Sequence, residues 1–442
     1  MKTLMIAAPA SGSGKTTITM GLLRALKNRG LDVVGYKVGP DYIDPAFLTA
    51  AAGQPARNLD LHLQGEQGVF YNLKQGQAEY GIIEGVMGYF DGISNTWQNS
   101  SYHLSTLLHT PTVLIYTPKG EMFSAIPKLK GMAEFPRSMF QAVILNHVSQ
   151  HYYELLKEAV EQHTTLKVLG FAPKMDEIEL KSRHLGLVQS VEIHELDHKI
   201  ETVAYVLSQH LDMEQLIGMM SACPVEDALN DPFKGFNLAR RDITVAIAKD
   251  EAFSFYYTEN LELLSQTCRV VYFSPLRDAQ LPPSDFVYLG GGYPEVFHLE
   301  LSENTSMLRS IKEYADQGGY LYAECGGFMY LTESVEDAPM VGLFRGKTRL
   351  TPRLQRFGYI DVTLKQDCLL GQAGTTFSGH EFHKSVSDVT GDTMFHIRKT
   401  LGTNTWECGF RYKNVVAGYP HINFLGHPGV LQHILDTVEG KD

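Results

Sequence analysis

The chain reads as α/β throughout: a doubly wound parallel sheet carrying a phosphate-type loop, followed by a second α/β domain. Three observations predict this. Short, β-branched apolar runs alternate with amphipathic helical stretches across the first half. A glycine-rich loop, Ala8-Pro-Ala-Ser-Gly-Ser-Gly-Lys15-Thr16-Thr17, joins the first apolar run to the first helix. A new βα alternation starts near residue 243, after a stretch with little periodicity.

Taken in order, Thr3–Ala8 is the first strand and Thr16–Arg29 the helix after it. Val33–Tyr36, Gly81–Glu84, Thr112–Tyr116, Gln141–Asn146 and Val168–Phe171 follow as buried strands. Strands alternating with helices imply a parallel sheet, whose ligands gather at the carboxyl ends of the strands. Around Cys223–Arg241 the pattern breaks into Cys-Pro, Asp-Pro, Lys-Gly and Arg-Arg. The expected division is residues 1–222, a linker over 223–241, and 242–442. The second domain opens with Ile243–Ala248, Val270–Phe273, Phe286–Leu289 and Gly319–Ala323.

A chain of 442 residues exceeds one ordinary core, which agrees with two domains. The composition, 44% hydrophobic and 20% charged, is that of a soluble globular protein, and the formal charge of −12 favours neither a nucleic acid nor an anionic membrane as partner. No apolar run approaches the roughly 18–20 residues of a membrane span, and the first residues run into the glycine loop rather than forming a signal peptide. Five cysteines without paired spacing suggest neither a disulfide framework nor a zinc site, and fit a reducing cytoplasm.

The glycine loop sits where successive backbone N–H groups and a helix start cradle phosphates. Gly12, Ser13, Gly14, Lys15, Thr16 and Thr17 are the candidate nucleotide-binding residues, with Lys15 reaching the outer phosphates and the Thr16 hydroxyl a ligand for Mg²⁺. Pro9 stands where the usual first glycine belongs. Two acidic segments follow strands: Lys37-Val-Gly-Pro-Asp41-Tyr-Ile-Asp44-Pro, and Ile82-Ile-Glu84-Gly-Val-Met-Gly-Tyr-Phe-Asp91-Gly. A carboxylate ending a buried strand beside a phosphate loop is a usual second Mg²⁺ contact, so Thr16, Asp41 and Glu84 are the candidate metal ligands. Glutamate is a poor turn residue, which favours function for Glu84. Asp41, Asp44 and Asp91 read equally well as turn-formers and caps.

In the second domain, Gly319-Tyr-Leu-Tyr-Ala-Glu-Cys325-Gly-Gly-Phe-Met is a strand, a cysteine, two glycines and a helix start. Such a turn exposes a thiol, and the helix start is expected to favour the thiolate. Upstream, Leu289-Gly-Gly-Gly-Tyr-Pro-Glu295 offers backbone N–H groups for an oxyanion; Gly291, Gly292 and Gly326 are the candidates. A cysteine nucleophile needs a base, and His421, following the apolar run Val415-Val-Ala, is the best placed of the histidines. The bland alternative for a buried cysteine is a small hydrophobe, and Cys223, Cys268, Cys368 and Cys408 read that way. His380 and His383 form a rival His-x-x-His pair, with a cleft-facing strand as the other explanation.

These strings resemble the cobyrinic acid a,c-diamide synthase family over nearly the whole chain. The resemblance is carried by Tyr36-Lys-Val-Gly-Pro-Asp-Tyr-Ile-Asp-Pro, Asn58-Leu-Asp, Ile83-Glu-Gly-Val-Met-Gly, Arg183-His-Leu-Gly-Leu-Val, Asp250-Glu-Ala-Phe-Ser-Phe-Tyr-Tyr and Phe273-Ser-Pro-Leu. It continues with Leu289-Gly-Gly-Gly-Tyr-Pro-Glu, Ala323-Glu-Cys-Gly-Gly-Phe-Met-Tyr-Leu and Gly379-His-Glu-Phe-His. It implies a dethiobiotin-synthetase-like ATP domain and a class I glutamine amidotransferase domain. It also implies MgATP-dependent phosphorylation of the a and c carboxylates of a corrinoid ring, followed by displacement with glutamine-derived ammonia passed internally.

On that resemblance Asp44, Glu84 and Asp91 match catalytic acids, Cys325 the nucleophile and His421 its base. Lys37 joins the ATP-binding set, and Asn146 falls where related synthetases contact adenine. The implied partners are small molecules (tetrapyrrole, glutamine and ATP), with a homodimer as a possible assembly. The chain departs from the family's Tyr-x-His-x-His with Tyr419-Pro-His-Ile-Asn423, from its strand ending in aspartate with Leu114-Ile-Tyr-Thr-Pro-Lys-Gly-Glu, and from its usual proline at Lys181-Ser182. Two other readings stand beside it: the same chemistry on Ni-sirohydrochlorin or hydrogenobyrinic acid, and a nucleotide-switched binding module like the partitioning ATPases with a degenerate amidase attached.

Overall fold

The computed structural model describes residues 1–175, 195–223 and 231–440; the Arg183–Val188 string and the Lys181-Ser182 departure lie outside the described residues. The chain divides into two compact units, Met1–Leu61 with Val69–Leu229 and His62–Gly68 with Asn230–Asp442.

In the first unit the strands are β1 (Lys2–Ala7), β2 (Val33–Val38), β3 (Arg57–Leu59), β4 (Tyr80–Glu84), β5 (Thr112–Tyr116), β6 (Phe140–Asn146), β7 (Lys167–Ala172) and β8 (Ser221–Ala222). The sheet runs β3-β2-β4-β1-β5-β6-β7, parallel along this order, with β8 antiparallel at the start of β1. Both faces are covered. Along β1, Leu4 and Ile6 enter one apolar cluster with the helix Lys15–Asn28, whereas Met5 and Ala7 enter the cluster of the opposite face. The chain leaves β1 towards β2 and returns through β4, then crosses to β5, so the connections part on either side of β1. The carboxyl ends at such a switch point form a ligand crevice, and the glycine loop, Glu84 and Thr117 all lie there.

The second unit contains β9 (Thr244–Ala248), β10 (Phe253–Phe255), β11 (Arg269–Phe273), β12 (Phe286–Leu289), β13 (Gly291–Gly292) and β14 (Tyr320–Glu324). Then come β15 (Thr332–Val335), β16 (Ala338–Pro339), β17 (Phe344–Leu350), β18 (Arg356–Leu364), β19 (Thr376–His383) and β20 (Ser385–Ser387). β21 (Phe395–Lys399), β22 (Thr405–Cys408), β23 (Phe410–Tyr412), β24 (Val415–Gly418) and β25 (His421–Ile422) complete it. The central sheet is β11-β9-β12-β14-β24-β23, parallel except for β23.

Two features differ from the sequence expectation. Besides the two-stranded β10-β13, the unit carries the sheets β16-β15-β17-β20 and β22-β21-β18-β19-β25, mostly antiparallel. Their strands mix buried and exposed positions without long apolar runs, so periodicity does not announce them. Residues His62–Gly68 also group with this unit, because the Gln64 side chain donates to Glu259 Oε1 at 2.6 Å in a buried position and the His62 ring lies 4.6 Å from that of Tyr359.

Candidate active site

The glycine loop of the first unit is shaped by two left-handed residues, Gly12 at φ 71° and Gly14 at φ 84°. At Gly14 a side chain is excluded twice over, since a Cβ there would stand 2.7 Å from Asn146 Nδ2. Asn146, at the end of β6, donates that same amide to the Ser13 carbonyl at 3.0 Å, and Ser13 Oγ donates to Ala10 O at 2.8 Å. Lys15 folds back over the loop, its Nζ donating to Ala10 O at 3.2 Å and Met87 O at 2.6 Å. Burial first, then the nearby Lys37 charge, lowers its pKa to about 8. Thr17 lies in the first turn of the helix.

Strand register assembles the acids. Glu84 is the last residue of β4 and pairs with Lys37 across β2 and Ile6 across β1. Thr16 Oγ1 donates to Glu84 Oε1 at 2.7 Å and to Asp44 Oδ2 at 3.3 Å. Lys37 Nζ, 4% exposed, lies 2.6 Å from Asp44 Oδ2, 2.9 Å from Glu84 Oε1 and 3.9 Å from Asp41 Oδ2. Burial raises Glu84 to about 7 against the pull of Lys37. Burial works the same way on Asp44, but there the charge and hydrogen bond of Lys37 win and hold it below the ordinary range. Burial and the neighbouring Asp44 raise Asp41 to about 6.

Asp41 Oδ1 accepts from the Ile43 and Asp44 N–H groups at 2.9 and 3.0 Å, which is the turn-and-cap role left open for it. Asp91, exposed, accepts from Gly88 N–H at 3.0 Å and closes the turn over the loop. Among the described residues no three His, Cys, Asp or Glu side chains converge as a metal cage. Glu84 Oε2 nonetheless is buried without a hydrogen-bond partner, an oxygen that suits a hard cation completing its shell with phosphate and water.

In the second unit Cys325 sits between β14 and the helix Gly326–Leu331 at φ 49°, ψ −103°, a strained backbone for a residue with a Cβ. Its N–H donates to Gly418 O at 2.8 Å, and Gly327 N–H donates to Gly290 O at 2.9 Å. The glycines permit this crowding: a Cβ on Gly326 would meet Gly292 N at 3.0 Å, and one on Gly291 would meet His421 Cε1 at 2.5 Å. The Gly290–Gly292 backbone is less bare than expected, because Gly290 N–H donates to Tyr256 Oη at 2.8 Å and Gly291–Gly292 pair with β10.

The expected thiolate is not the resting form. Burial pushes the Cys325 thiol up, and the carboxylates of Glu295 and Glu381 add to it. The short helix does not offset them, so a base must remove the proton.

His421 opens β25, just past the end of β24, with its Nδ1 3.4 Å from Glu324 Oε2. Glu324, 2% exposed, is held by Tyr288 Oη at 2.8 Å, Tyr322 Oη at 3.1 Å and the Ile422 N–H at 2.9 Å. Asn260 clamps the same strand, donating to Ile422 O at 2.7 Å and accepting from Phe424 N–H at 2.7 Å. Sequence reasoning missed Glu324, although it immediately precedes the cysteine; only the β14–β24 register turns it towards the histidine. Asn423, the departure beside the base, donates instead to Glu259 Oε1 at 2.8 Å. His380 and His383 sit three apart on β19 and therefore on opposite faces, so they do not form a metal pair.

With His421 as the expected base, a Gly291→Ala substitution should lower the expected glutamine-driven turnover about 100-fold, the cost of displacing a reacting group by roughly 1 Å. Ammonia-driven turnover should be preserved. Steady-state rates with the two nitrogen sources decide it, and equal losses would contradict the placement of His421.

Residues 4–188 match the CobQ/CobB/MinD/ParA nucleotide binding domain, and residues 244–429 the CobB/CobQ-like glutamine amidotransferase domain. Fold and family models thus define a protein in which a nucleotide-binding domain is joined to a glutamine amidotransferase domain. The chain is 45% identical to the cobyrinate a,c-diamide synthase of Clostridium acetobutylicum over 98% of this chain and 100% of that one. It is 43% identical to that of Clostridium tetani over 99% and 100%, and 39% identical to that of Listeria monocytogenes over 99% and 100%. The chain belongs to the cobyrinate a,c-diamide synthase family. No helix among the described residues is long and apolar enough to cross a membrane.

Proposed function

We propose that the protein amidates the a and c carboxylates of cobyrinate in cobalamin biosynthesis, using ATP and ammonia taken from glutamine. The observation that carries the reading is the grouping of half-buried Thr16 and Asp44 with buried Lys37 and Glu84 beside the glycine loop, with Thr16 Oγ1 at 2.7 Å and Lys37 Nζ at 2.9 Å from the same Glu84 oxygen. Its full-length relatives supply the substrate.

A carboxylate is a poor electrophile, so one carboxylate oxygen attacks the γ-phosphorus of ATP. The bond to the β–γ bridging oxygen breaks, giving ADP and an acyl phosphate. Lys15 moves from the Ala10 and Met87 carbonyls to the phosphates, and Lys37 offsets charge on the transferring group. Thr16 and Glu84 would hold Mg²⁺, which when bound would supply charge neutralisation on the phosphates.

In the second unit His421, oriented by Glu324, takes the Cys325 proton as sulfur attacks the glutamine amide carbon. The Gly326 N–H, with that of Gly292, would serve as the oxyanion donors. The C–N bond breaks, the proton leaves with nitrogen as ammonia, and water hydrolyses the thioester to glutamate. Ammonia then attacks the acyl carbon and phosphate departs. Ammonia is scarce as NH₃ near neutral pH, so local release raises its supply.

The test is mass spectrometry of products after incubation with MgATP and glutamine, in parallel with cobyrinic acid, hydrogenobyrinic acid and Ni-sirohydrochlorin. Two successive acid-to-amide mass losses are expected on cobyrinic acid. Conversion of only one of the other rings would transfer the assignment to it.

A further inference from the structure

Glu381 is a buried carboxylate that the reaction above leaves unused. It lies on β19 next to His380, which pairs with His421. Side chains alternate along a strand, so Glu381 shares a face with His383 and not with His380. At the end of that face, His383 reaches the elbow helix by way of Tyr419, and the next strand touches the helix directly. His383 stacks on Tyr419 at 3.8 Å with 5° between the rings, Tyr419 packs edge-on against Phe328 at 5.2 Å, and Ser385 Oγ reaches Met329 Sδ at 3.5 Å. Phe328 and Met329 belong to the helix that Cys325 opens.

Glu381 is 1% exposed, and neither of its oxygens has a hydrogen-bond partner among the described residues. His383 Nε2 is 3.9 Å from Glu381 Oε2, beyond hydrogen-bond range. His383 Nδ1 lies 2.9 Å from the Ser385 carbonyl, which only accepts, so Nδ1 carries a proton and, in the neutral ring, Nε2 presents a lone pair. That nitrogen too has no partner among the described residues. Lys399, a neighbouring cation whose charge interacts with that of Glu381, donates to the Phe357 carbonyl and makes no hydrogen bond to Glu381.

Glu381 Oε1, Oε2 and His383 Nε2 therefore form a set of buried acceptors with no donor between them. Such a set is costly unless donors meet it, and a carboxylate among the acceptors favours a cationic one. A primary ammonium group, with its positive charge and three N–H donors, has the matching chemistry. The charge of Glu381 is also felt at the nucleophile, where it adds to the effect of burial on the Cys325 thiol.

We propose that Glu381, with His383, binds the α-ammonium group of the glutamine whose side-chain amide Cys325 attacks. The assignment rests on the glutaminase reading above. Free ammonium ion carries the same chemistry, and the test separates the two sources.

The comparison is glutamine against glutaramate, which lacks only the α-ammonium group, in the wild type and in Glu381→Gln. The wild type should prefer glutamine. The variant should lose about 10- to 100-fold in kcat/KM for glutamine, chiefly through KM, while glutaramate changes by less than about threefold. In a Cys325→Ser background, glutamine should raise the melting temperature with Glu381 present and fail to do so with Glu381→Gln, a reading independent of turnover. Equal losses on both amides, an unchanged KM for glutamine, or a shifted KM for ammonium chloride with the glutamine–glutaramate ratio intact would each overturn the proposal. Glutamine turnover surviving Cys325→Ser would instead sink the glutaminase reading itself.

Discussion

Cys325→Ser is expected to abolish glutamine-driven amidation, by at least about 1,000-fold, while ammonia-driven amidation stays within about twofold of wild type. The physical reason is the state of the thiol. Burial and the Glu295 and Glu381 carboxylates hold it protonated, so attack depends on proton transfer to His421, and a serine hydroxyl gives up its proton far less readily. Sulfur also leaves a thioester that water can clear. The acyl phosphate chemistry uses residues of the other unit and needs only ammonia. Parallel assays with glutamine and ammonium chloride measure both rates. Loss of both together would refute the separation of the two centres.

Glu84→Gln should impair amidation from either nitrogen source, by about 100- to 1,000-fold. Glu84 receives Thr16 Oγ1 at 2.7 Å and Lys37 Nζ at 2.9 Å. Its second oxygen is buried and without a hydrogen-bond partner. An amide keeps the shape but halves the acceptors and removes the charge that holds Lys37 and would hold a cation. Glutamine hydrolysis measured alone should survive. Unimpaired ammonia-dependent product in this variant would exclude Glu84 from the phosphoryl-transfer centre.

Much of this is legible in the chain itself. Strand–loop–helix patterning located the glycine loop and the cysteine elbow, because a strained turn between a buried strand and a helix leaves a local trace of glycines around the reactive residue. Glu84 stood out as a glutamate closing an apolar run. His421 was harder, one histidine among seventeen, and was singled out only by following an apolar strand near the chain's end.

Other features had no local trace. The mostly antiparallel strands β15–β22 lack long apolar runs. Residues His62–Gly68 group with the second unit through the Gln64–Glu259 hydrogen bond and the His62–Tyr359 contact, made with residues hundreds of positions away.

The sequence by itself determined the two α/β folds, the loop around Lys15, the nucleophile candidate and the acids nearby, since each depends on periodicity and spacing within a short window. Tertiary structure alone decided what those acids face: Lys37 between Asp44 and Glu84, Asp41 closing its turn, Glu324 behind His421, and Glu381 beside His383. Those outcomes follow from strand register and from burial, which reverses the expected thiolate at Cys325. Register and burial belong to the assembled sheet, and no stretch of chain contains them.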